Sequence, residues 1–127
     1  MDMKTYFEKT QGVGVLSTAD RNGKVDAAIY ARPHVMEDGS LAFIMRDRLT
    51  HTNIQANPHA AYLFMEKTPG YRGKRLFLTK VREEEDSELL RSLRRRTYPE
   101  EAAGTGESKF LVFFKVDQEL PLVGDGK

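Results

Sequence analysis

The hydrophobic positions at the start of the chain follow a helical period and then change to the pattern of strands. Met3, Tyr6 and Phe7 are spaced as on one face of a helix, which predicts a short amphipathic helix that ends before Gly12. The next segment is rich in β-branched residues and is interrupted by Asn22-Gly23, a pair that tolerates the positive φ of tight turns. Strands are therefore predicted over residues 13–18 and 25–32, joined as a hairpin.

More strands and two more helices follow along the chain. A strand over residues 41–45 comes after the turn at Asp38-Gly39, and we expect the first three strands to form an antiparallel meander. Thr50 is predicted to cap a helix that ends at Asn57-Pro58, because the residue before a proline resists helical geometry. The remaining strands are predicted over residues 59–65, 75–82 and 109–116, with a helix from the acidic run at Glu83 to Arg96.

This succession of elements predicts a mainly β fold. Six strands with short helices between them favour a small closed β-barrel over a sandwich, because closing the sheet removes unpaired strand edges. At 127 residues the chain has the size of one domain, so we expect a single domain over residues 1–127 with a C-terminal tail over 121–127. The most hydrophobic strand, Phe110–Val116, is compatible either with core packing or with a dimer contact.

Composition excludes several classes of protein. The 20 basic and 19 acidic residues nearly cancel, which argues against a chain built to coat nucleic acid or an anionic membrane. The sequence has no cysteine and only three histidines, without a metal-ligand spacing, so neither disulfides nor a metal site is expected. No apolar run reaches the roughly 18 residues of a membrane helix, and the start lacks a signal peptide, so we expect a soluble, cytoplasmic protein.

The segment from Arg46 to Thr52 carries the best candidate chemistry. A strand runs there into a helix start, where unpaired backbone N–H groups attract anions. Arg46 and Arg48 add positive charge and Thr50 adds a hydroxyl, which together predict a phosphate site. The alternative is a pair of solvated arginines, one of them neutralised by Asp47, and both interpretations stay open at this point. His51 could donate to the same anion or be an ordinary exposed histidine.

Small side chains lie on the strands near this corner. Ala28, Ala31 and Ala42 leave room for a ligand against the sheet, and Tyr30 and Phe43 can line an aromatic pocket. A planar ring with a phosphate tail would fit such a surface, and core packing is the alternative explanation.

A second basic cluster runs from Arg91 to Arg96 at the end of the predicted long helix. Basic residues there are favoured by the helix dipole, and a nucleic-acid-binding face is the alternative. We therefore expect Arg48→Ala to weaken binding of a phosphate-bearing ligand such as FMN more than Arg94→Ala does.

The order of these elements resembles the pyridoxamine 5′-phosphate oxidase-like superfamily, the FMN-binding split barrels. The most specific part is the block Gly23–Phe64, with the turn Glu37-Asp38-Gly39, the strand Leu41–Met45 and the helix end Asn53–Pro58. The resemblance implies a six-stranded antiparallel split barrel and a homodimer that holds FMN at the subunit interface. The balanced charge adds the expectation of no nucleic acid and no membrane as partner.

The resemblance also implies which residues hold the cofactor. In the family the backbone of the second strand lies along the flavin ring and the third strand contributes next, while the phosphate site aligns with Leu49 and Thr50. The family's basic pair is absent from that site, so Arg46 or Arg48 would supply the charge, and Lys74 matches a position near the flavin's polar edge in some members. The ring contacts fall on Ala28, Ile29, Tyr30, Ala31, Phe43, Ile44 and Met45.

The function implied is a small flavin-dependent oxidoreductase with an unassigned substrate and no evident catalytic side chain. The alternative is a non-catalytic flavin- or haem-binding or redox-sensing protein, since related split barrels bind haem or deazaflavin. We do not expect oxidation of pyridoxamine phosphate. In the family that activity needs a C-terminal segment with Arg and His, and Pro121–Lys127 has neither.

Overall fold

A computed structural model describes residues 2–97 and 109–124 and gives three helices and seven strands within them. The predicted loop over residues 99–108 and the last three residues of the tail lie outside this part of the chain. The helices are α1 (Met3–Lys9), α2 (Leu49–Ala56) and α3 (Glu88–Thr97). The strands are β1 (Gly12–Ala19), β2 (Val25–Tyr30), β3 (His34–Val35), β4 (Leu41–Arg46), β5 (His59–Glu66), β6 (Gly73–Glu85) and β7 (Lys109–Pro121).

The strands form one antiparallel sheet that curls into a half-barrel. Its order is β2-β1-β5-β6-β7-β4-β3, and every ladder between neighbours is antiparallel. The two ends of the sheet approach each other, since the ring of Tyr30 on β2 meets the ring of Phe43 on β4 edge to face at 6.0 Å. Within the described residues no ladder joins these ends. The split-barrel prediction is thus confirmed as a class, whereas closure and the count of six strands are wrong.

The predicted first hairpin is confirmed by local hydrogen bonds. β1 and β2 pair in register from Gly14↔Tyr30 to Ala19↔Val25. In the turn, one carboxylate oxygen of Asp20 accepts the N–H groups of Asn22 and Lys24, at 2.8 and 2.9 Å. Gly23 takes a φ of +86°, which explains why the Asn-Gly pair is placed there.

The predicted meander is wrong, because β4 does not lie beside β2. It pairs along its whole length with β7, and its first two residues pair with β3, the unpredicted seventh strand. Pro33 directly after Arg32 separates β2 from β3, and a proline has no N–H to continue a ladder. The chain crosses there to the opposite end of the sheet.

Two apolar clusters lie on the two faces of β7. Phe110, Val112 and Phe114 pack inside the curl with side chains from β1, β4, β5 and β6 and with Phe7 of α1. Leu111 and Phe113 pack on the other face beneath α3. The run from Phe110 to Phe114 is buried throughout, so this hydrophobic strand is core.

Both longer helices begin at different residues from those predicted. α2 is capped by the extended backbone of Arg48, and Thr50 is its second residue. The acidic run at residues 83–85 continues β6, where it pairs with Phe110–Val112 of β7. The chain turns at Asp86, and α3 starts after Ser87, whose hydroxyl accepts the N–H of Leu90 at 3.1 Å. None of the helices in the described ranges has the length and apolar character needed to cross a bilayer.

The fold places a strict limit on the side chain at position 14. A Cβ added to Gly14 would overlap the hydroxyl group of the buried Tyr62, and overpacking of this kind costs about 1–3 kcal/mol. We therefore expect Gly14→Ala to lower the free energy of unfolding by that amount in chemical denaturation. Gln11→Ala, at an exposed position just before β1, is the control and should change it by less than about 0.5 kcal/mol. Equal stability of the two variants would show that the Tyr62 hydroxyl is not fixed above Gly14.

Candidate functional site

A cavity of about 490 Å³ lies in the split of the barrel, between β2 and β4. A volume of this size is typical of pockets for cofactors and other small molecules. Its walls come from the end of β2 and the segment after it, from β4, and from single residues on β3, α2, α3 and β7. The lining residues are Ala28, Ile29, Tyr30, Ala31, Arg32, His34, Ala42, Phe43, Ile44, Arg46, Arg48, Thr50, Arg94 and Lys109.

The cavity faces two strand edges. β2 is the first strand of the sheet order, so in the described structure one of its edges has no neighbouring strand. β3 pairs with Leu41 and Ala42 alone, so the same edge of β4 is unpaired from Phe43 to Arg46. A strand edge presents N–H and C=O groups that no neighbouring strand uses. A ligand in the cavity can therefore be held by backbone as well as by side chains.

The wall formed by the end of β2 is fixed from beneath by Tyr62. This buried hydroxyl lies 3.2 Å from the carbonyl oxygen of Tyr30 and 3.1 Å from that of Ala31, and it donates its one hydrogen to them. Burial raises the pKa of Tyr62 well above its usual value, so the hydroxyl stays protonated and remains a donor. Tyr62 is a positioning residue for the backbone of this wall.

Tyr30 supplies the aromatic part of the cavity. Its hydroxyl is hydrogen-bonded to Thr50 on α2, and its ring stands perpendicular to that of Phe43 on β4. Burial raises the pKa of Tyr30, and the bond from Thr50 offsets only part of this effect. The phenol is thus neutral at physiological pH and joins β2, β4 and α2 around the cavity.

The charge of the cavity is strongly positive. Five Arg and Lys side chains line it, whereas the described lining contains no carboxylate. Arg46 and Lys109 are register partners on β4 and β7, and Arg48 and Thr50 follow at the start of α2. We call these four residues the cationic corner. Arg94 of α3 and Lys109 are also strongly buried, with 8% and 5% of their surfaces exposed. Such a site favours an anion.

Most of the residues proposed from the sequence meet in this cavity. The lining contains Ala28, Ile29, Tyr30, Ala31, Ala42, Phe43, Ile44, Arg46, Arg48 and Thr50. Three do not reach it. Met45 is fully buried in the core, and Leu49 is exposed outside the lining. Lys74 lies on β6, where its ammonium group is 2.6 Å from a carboxylate oxygen of Glu119 and 4.7 Å from the ring centroid of Tyr6.

Four lining residues lay outside the predicted set, namely Arg32, His34, Arg94 and Lys109. Arg48 and Arg94 both line this cavity, so the expected larger effect of Arg48→Ala on FMN binding stays a prediction. The basic cluster of α3 is also divided, since Arg91 is exposed and ion-paired with Glu88 at 3.0 Å while Arg94 is buried. A helical wheel could have separated these two arginines, but only the tertiary fold shows what Arg94 faces.

Comparison with known proteins identifies the fold. No protein-family model and no curated protein matches the sequence. An FMN-binding protein from Syntrophomonas wolfei superposes with a TM-score of 0.75 and 16% identity over 95% of this chain and 84% of its own. HutZ, the haem storage protein of Vibrio cholerae, superposes with a TM-score of 0.73 and 14% identity over 98% of this chain and 96% of its own. A Lactobacillus delbrueckii protein provisionally described as a pyridoxamine 5′-phosphate oxidase superposes with a TM-score of 0.68 and 16% identity over 94% of this chain and 92% of its own.

The chain has the split-barrel fold of the pyridoxamine 5′-phosphate oxidase-like proteins. The resemblance stated from the sequence is thereby confirmed at the level of the fold. At these identities the structural likeness carries no residue assignments, so the cavity of this split barrel must be interpreted from its own side chains.

His51 of this split barrel points away from the cavity. Its ring stacks on Phe110 with centroids 3.8 Å apart, and its Nε2 atom lies 3.1 Å from a carboxylate oxygen of Glu83. The residue is buried, so neither interpretation made from the sequence, a phosphate donor or an exposed histidine, is right. It links α2 to β6 behind the cavity and supports the helix that carries Thr50.

Glu83 is the acidic centre of this link. Burial alone would raise its pKa, but hydrogen bonds from Lys80, His51 and Gln55 outweigh burial and lower the pKa from the usual 4.5. A carboxyl with a lowered pKa adds stability above its unfolded pKa, and that stability is lost as the pH falls through the folded value. The link between α2 and β6 should therefore weaken in acid.

We expect Glu83→Gln to lower the free energy of unfolding at pH 7 by about 1–2 kcal/mol, because the bonds to the carboxylate lose their charge assistance. The variant should also lose less stability than the parent protein between pH 5 and pH 3. Urea titrations across this range measure both effects, with Glu85→Gln, at an exposed position on the same strand, as the control. A parent and variant with parallel pH profiles would contradict the proposed role of Glu83.

Proposed function

We propose that this split barrel binds FMN in the cavity between β2 and β4. The observation that carries the proposal is the composition of the cavity wall, which combines the cationic corner at the Arg46 end of β4 with small side chains beside two open strand edges. FMN is an anion with a flat ring system, so its two parts need different surroundings. The described lining provides both kinds of surroundings.

The phosphate of FMN would be held at the cationic corner. Arginine is suited to phosphate because its planar guanidinium can donate two parallel hydrogen bonds. Arg46 and Arg48 provide such groups, and Lys109 adds a compact charge beside Arg46. Arg94 contributes a further positive charge from α3. This set takes the place of the basic pair that the sequence lacks at Leu49 and Thr50.

The ring of FMN would lie against the backbone edges of β2 and β4. Ala28, Ala31 and Ala42 project little into the cavity, and their size lets a planar group approach the sheet. Tyr30 and Phe43 provide apolar surface beside it. Tyr62 keeps the β2 wall in place through its bonds to the carbonyl groups of residues 30 and 31.

When bound, FMN would supply hydride or single-electron transfer, which makes the protein a small oxidoreductase whose substrate is still to be found. The residues of the chain would bind the cofactor, orient it and shield one side from water. The described lining has no carboxylate and burial keeps Tyr30 protonated, so His34 is the residue of the cavity wall best suited to acid or base chemistry.

Haem is the second candidate ligand. HutZ, a haem storage protein, shares the fold, and the imidazole of His34 lines the cavity, where it would hold the iron of a bound haem. The cationic corner would then hold the propionate groups. In this alternative the protein carries or senses its ligand.

We further propose that two copies of the chain form a homodimer through the outer face of the sheet. Val15 of β1 lies in register between Ile29 of β2 and Leu63 of β5, and Val13 lies opposite Met65. These side chains form an apolar surface, in which Ile29 is 72% exposed and also lines the cavity. A second copy seated there would cover both the apolar surface and the open side of the cavity.

The phosphate assignment predicts a preference for FMN over riboflavin, which lacks the phosphate. We expect FMN to bind the purified protein at least about 100-fold more tightly, because charge-assisted bonds contribute roughly 1.5–3 kcal/mol each. Arg48→Gln should lower this ratio about tenfold, and Arg91→Gln, on the exposed face of α3, should leave it unchanged. Flavin absorption and fluorescence titrations measure both affinities.

The outcome also separates the two candidate ligands. A protein that retains no flavin but gives a haem Soret band, lost in His34→Ala, would overturn the FMN proposal in favour of haem. Equal affinities for FMN and riboflavin would show that the phosphate does not lie at the cationic corner.

The dimer proposal predicts that charge on the outer face separates the subunits. Leu63→Glu should convert a dimer to a monomer in sedimentation velocity, since an acidic side chain would be desolvated in the interface. Val81→Glu introduces the same charge at an exposed position in the distal half of β6 and should leave the dimer intact. A parent protein that sediments as a monomer at micromolar concentration would refute the proposal.

A further inference from the structure

A second cavity, of about 590 Å³, adjoins the first. The two share Ala31, Arg32 and His34 as a common wall. His34 is the register partner of Ala42, whereas Arg46 stands at the opposite end of β4, four residues or about 13 Å away. The shared wall therefore lies at the end of the first cavity that is remote from the cationic corner.

The second cavity has an apolar floor. Phe7 of α1, Pro33 and Leu93 of α3 are buried at its base, and Val35 and Met36 are half-buried at its side. Phe7 also packs edge to face on the rings of Tyr6, Tyr62 and Phe64, so the floor is part of the rigid core. A floor of this kind suits an apolar or aromatic group of a ligand.

The rim of the second cavity is charged, with a positive excess. Lys4 and Arg32 are cationic, and Glu8 is the one acid in the described lining. The Nη1 atom of Arg32 donates to the carbonyl oxygens of Phe7 and Thr10, at 3.1 and 2.8 Å, at the C-terminal end of α1. These bonds fix the guanidinium and do not engage its Nη2 and Nε atoms. Arg32 is thus a preoriented donor on the wall that both cavities share.

We propose that the second cavity binds an amphipathic acid, a molecule with an apolar body and a carboxylate, beside the proposed flavin site. The body occupies the floor formed by Phe7, Pro33 and Leu93, and the carboxylate faces Arg32. The position of the acid beside a flavin depends on the proposed FMN site, whereas the affinity for the acid depends only on the second cavity.

The test uses 2-naphthoate and its neutral isostere 2-naphthamide as probes. Binding to the FMN-loaded protein is followed by the change in flavin absorption, and binding to the FMN-free protein by saturation-transfer NMR. We expect the naphthoate to bind at least about tenfold more tightly than the amide in both forms, since only the acid pairs with Arg32. The flavin spectrum should change on binding, because the two cavities share a wall.

Two variants locate the bound probe. Arg32→Gln should reduce the preference for naphthoate to less than about threefold, and Arg91→Gln on the exposed face of α3 should preserve it. Because Arg32 also holds α1, Met36→Trp provides a second test: it fills only the second cavity, so it should abolish naphthoate binding while FMN is retained.

Each outcome decides the proposal. Naphthoate binding that is weakened by Arg32→Gln and abolished by Met36→Trp supports the acid site. A protein that binds naphthoate in this way but retains no FMN supports the acid site and refutes the FMN proposal. A protein that retains FMN but binds neither probe, or binds both equally, overturns the acid site alone. Naphthoate bound unchanged by Met36→Trp would place the probe elsewhere and would also overturn it.

Discussion

The site depends on one break in the ladder of hydrogen bonds, at Pro33. The pairing of His34 with Ala42 would continue as Pro33 opposite Phe43, but the proline ring fixes φ at about −65°, well away from the roughly −140° of an antiparallel strand, and also restricts the backbone of Arg32 before it. β3 therefore stops at two residues, and most of β4 keeps an uncovered edge. The same residue separates β2 from β3, so that the chain can cross to the other end of the sheet. Without this break, two paired strands would fill the space that is now the cavity.

The positive charge of the cavity comes from parts of the chain that are distant in sequence. Arg46 and Arg48 follow β4, Arg94 belongs to α3 and Lys109 begins β7. The β4–β7 ladder is what brings Arg46 and Lys109 side by side. The near-neutral composition of the chain thus conceals a strongly polarised surface, since no acidic residue in the described part of the chain lines the cavity, and Glu83 instead bonds with Lys80 and His51.

The sequence predicted those features of the fold that depend on residues close to one another along the chain. The Asn22-Gly23 turn, the end of α2 before Pro58 and the β2 and β4 walls of the cavity were all predictable in this way. The pairing of strands that are distant in sequence was not predictable from such signals. The strand from Leu41 finds its partner in β7, and the acids at residues 83–85, which resemble a helix start, extend β6 because β7 offers them a ladder. Arg94 and Lys109 entered the site for the same reason.

The two open strand edges have a consequence for the solubility of the protein. An uncovered edge is a template on which an extended segment of another chain can add as a further strand, and natural proteins protect such edges with charge. Here Arg32 follows the β2 edge, and Arg46 and Arg48 stand at the end of the β4 edge. The cations that make the split attractive to a small anion also act as gatekeepers against strand addition, since an incoming peptide would have to desolvate them. The same side chains thus attract a small anionic ligand and oppose the addition of a strand from another chain.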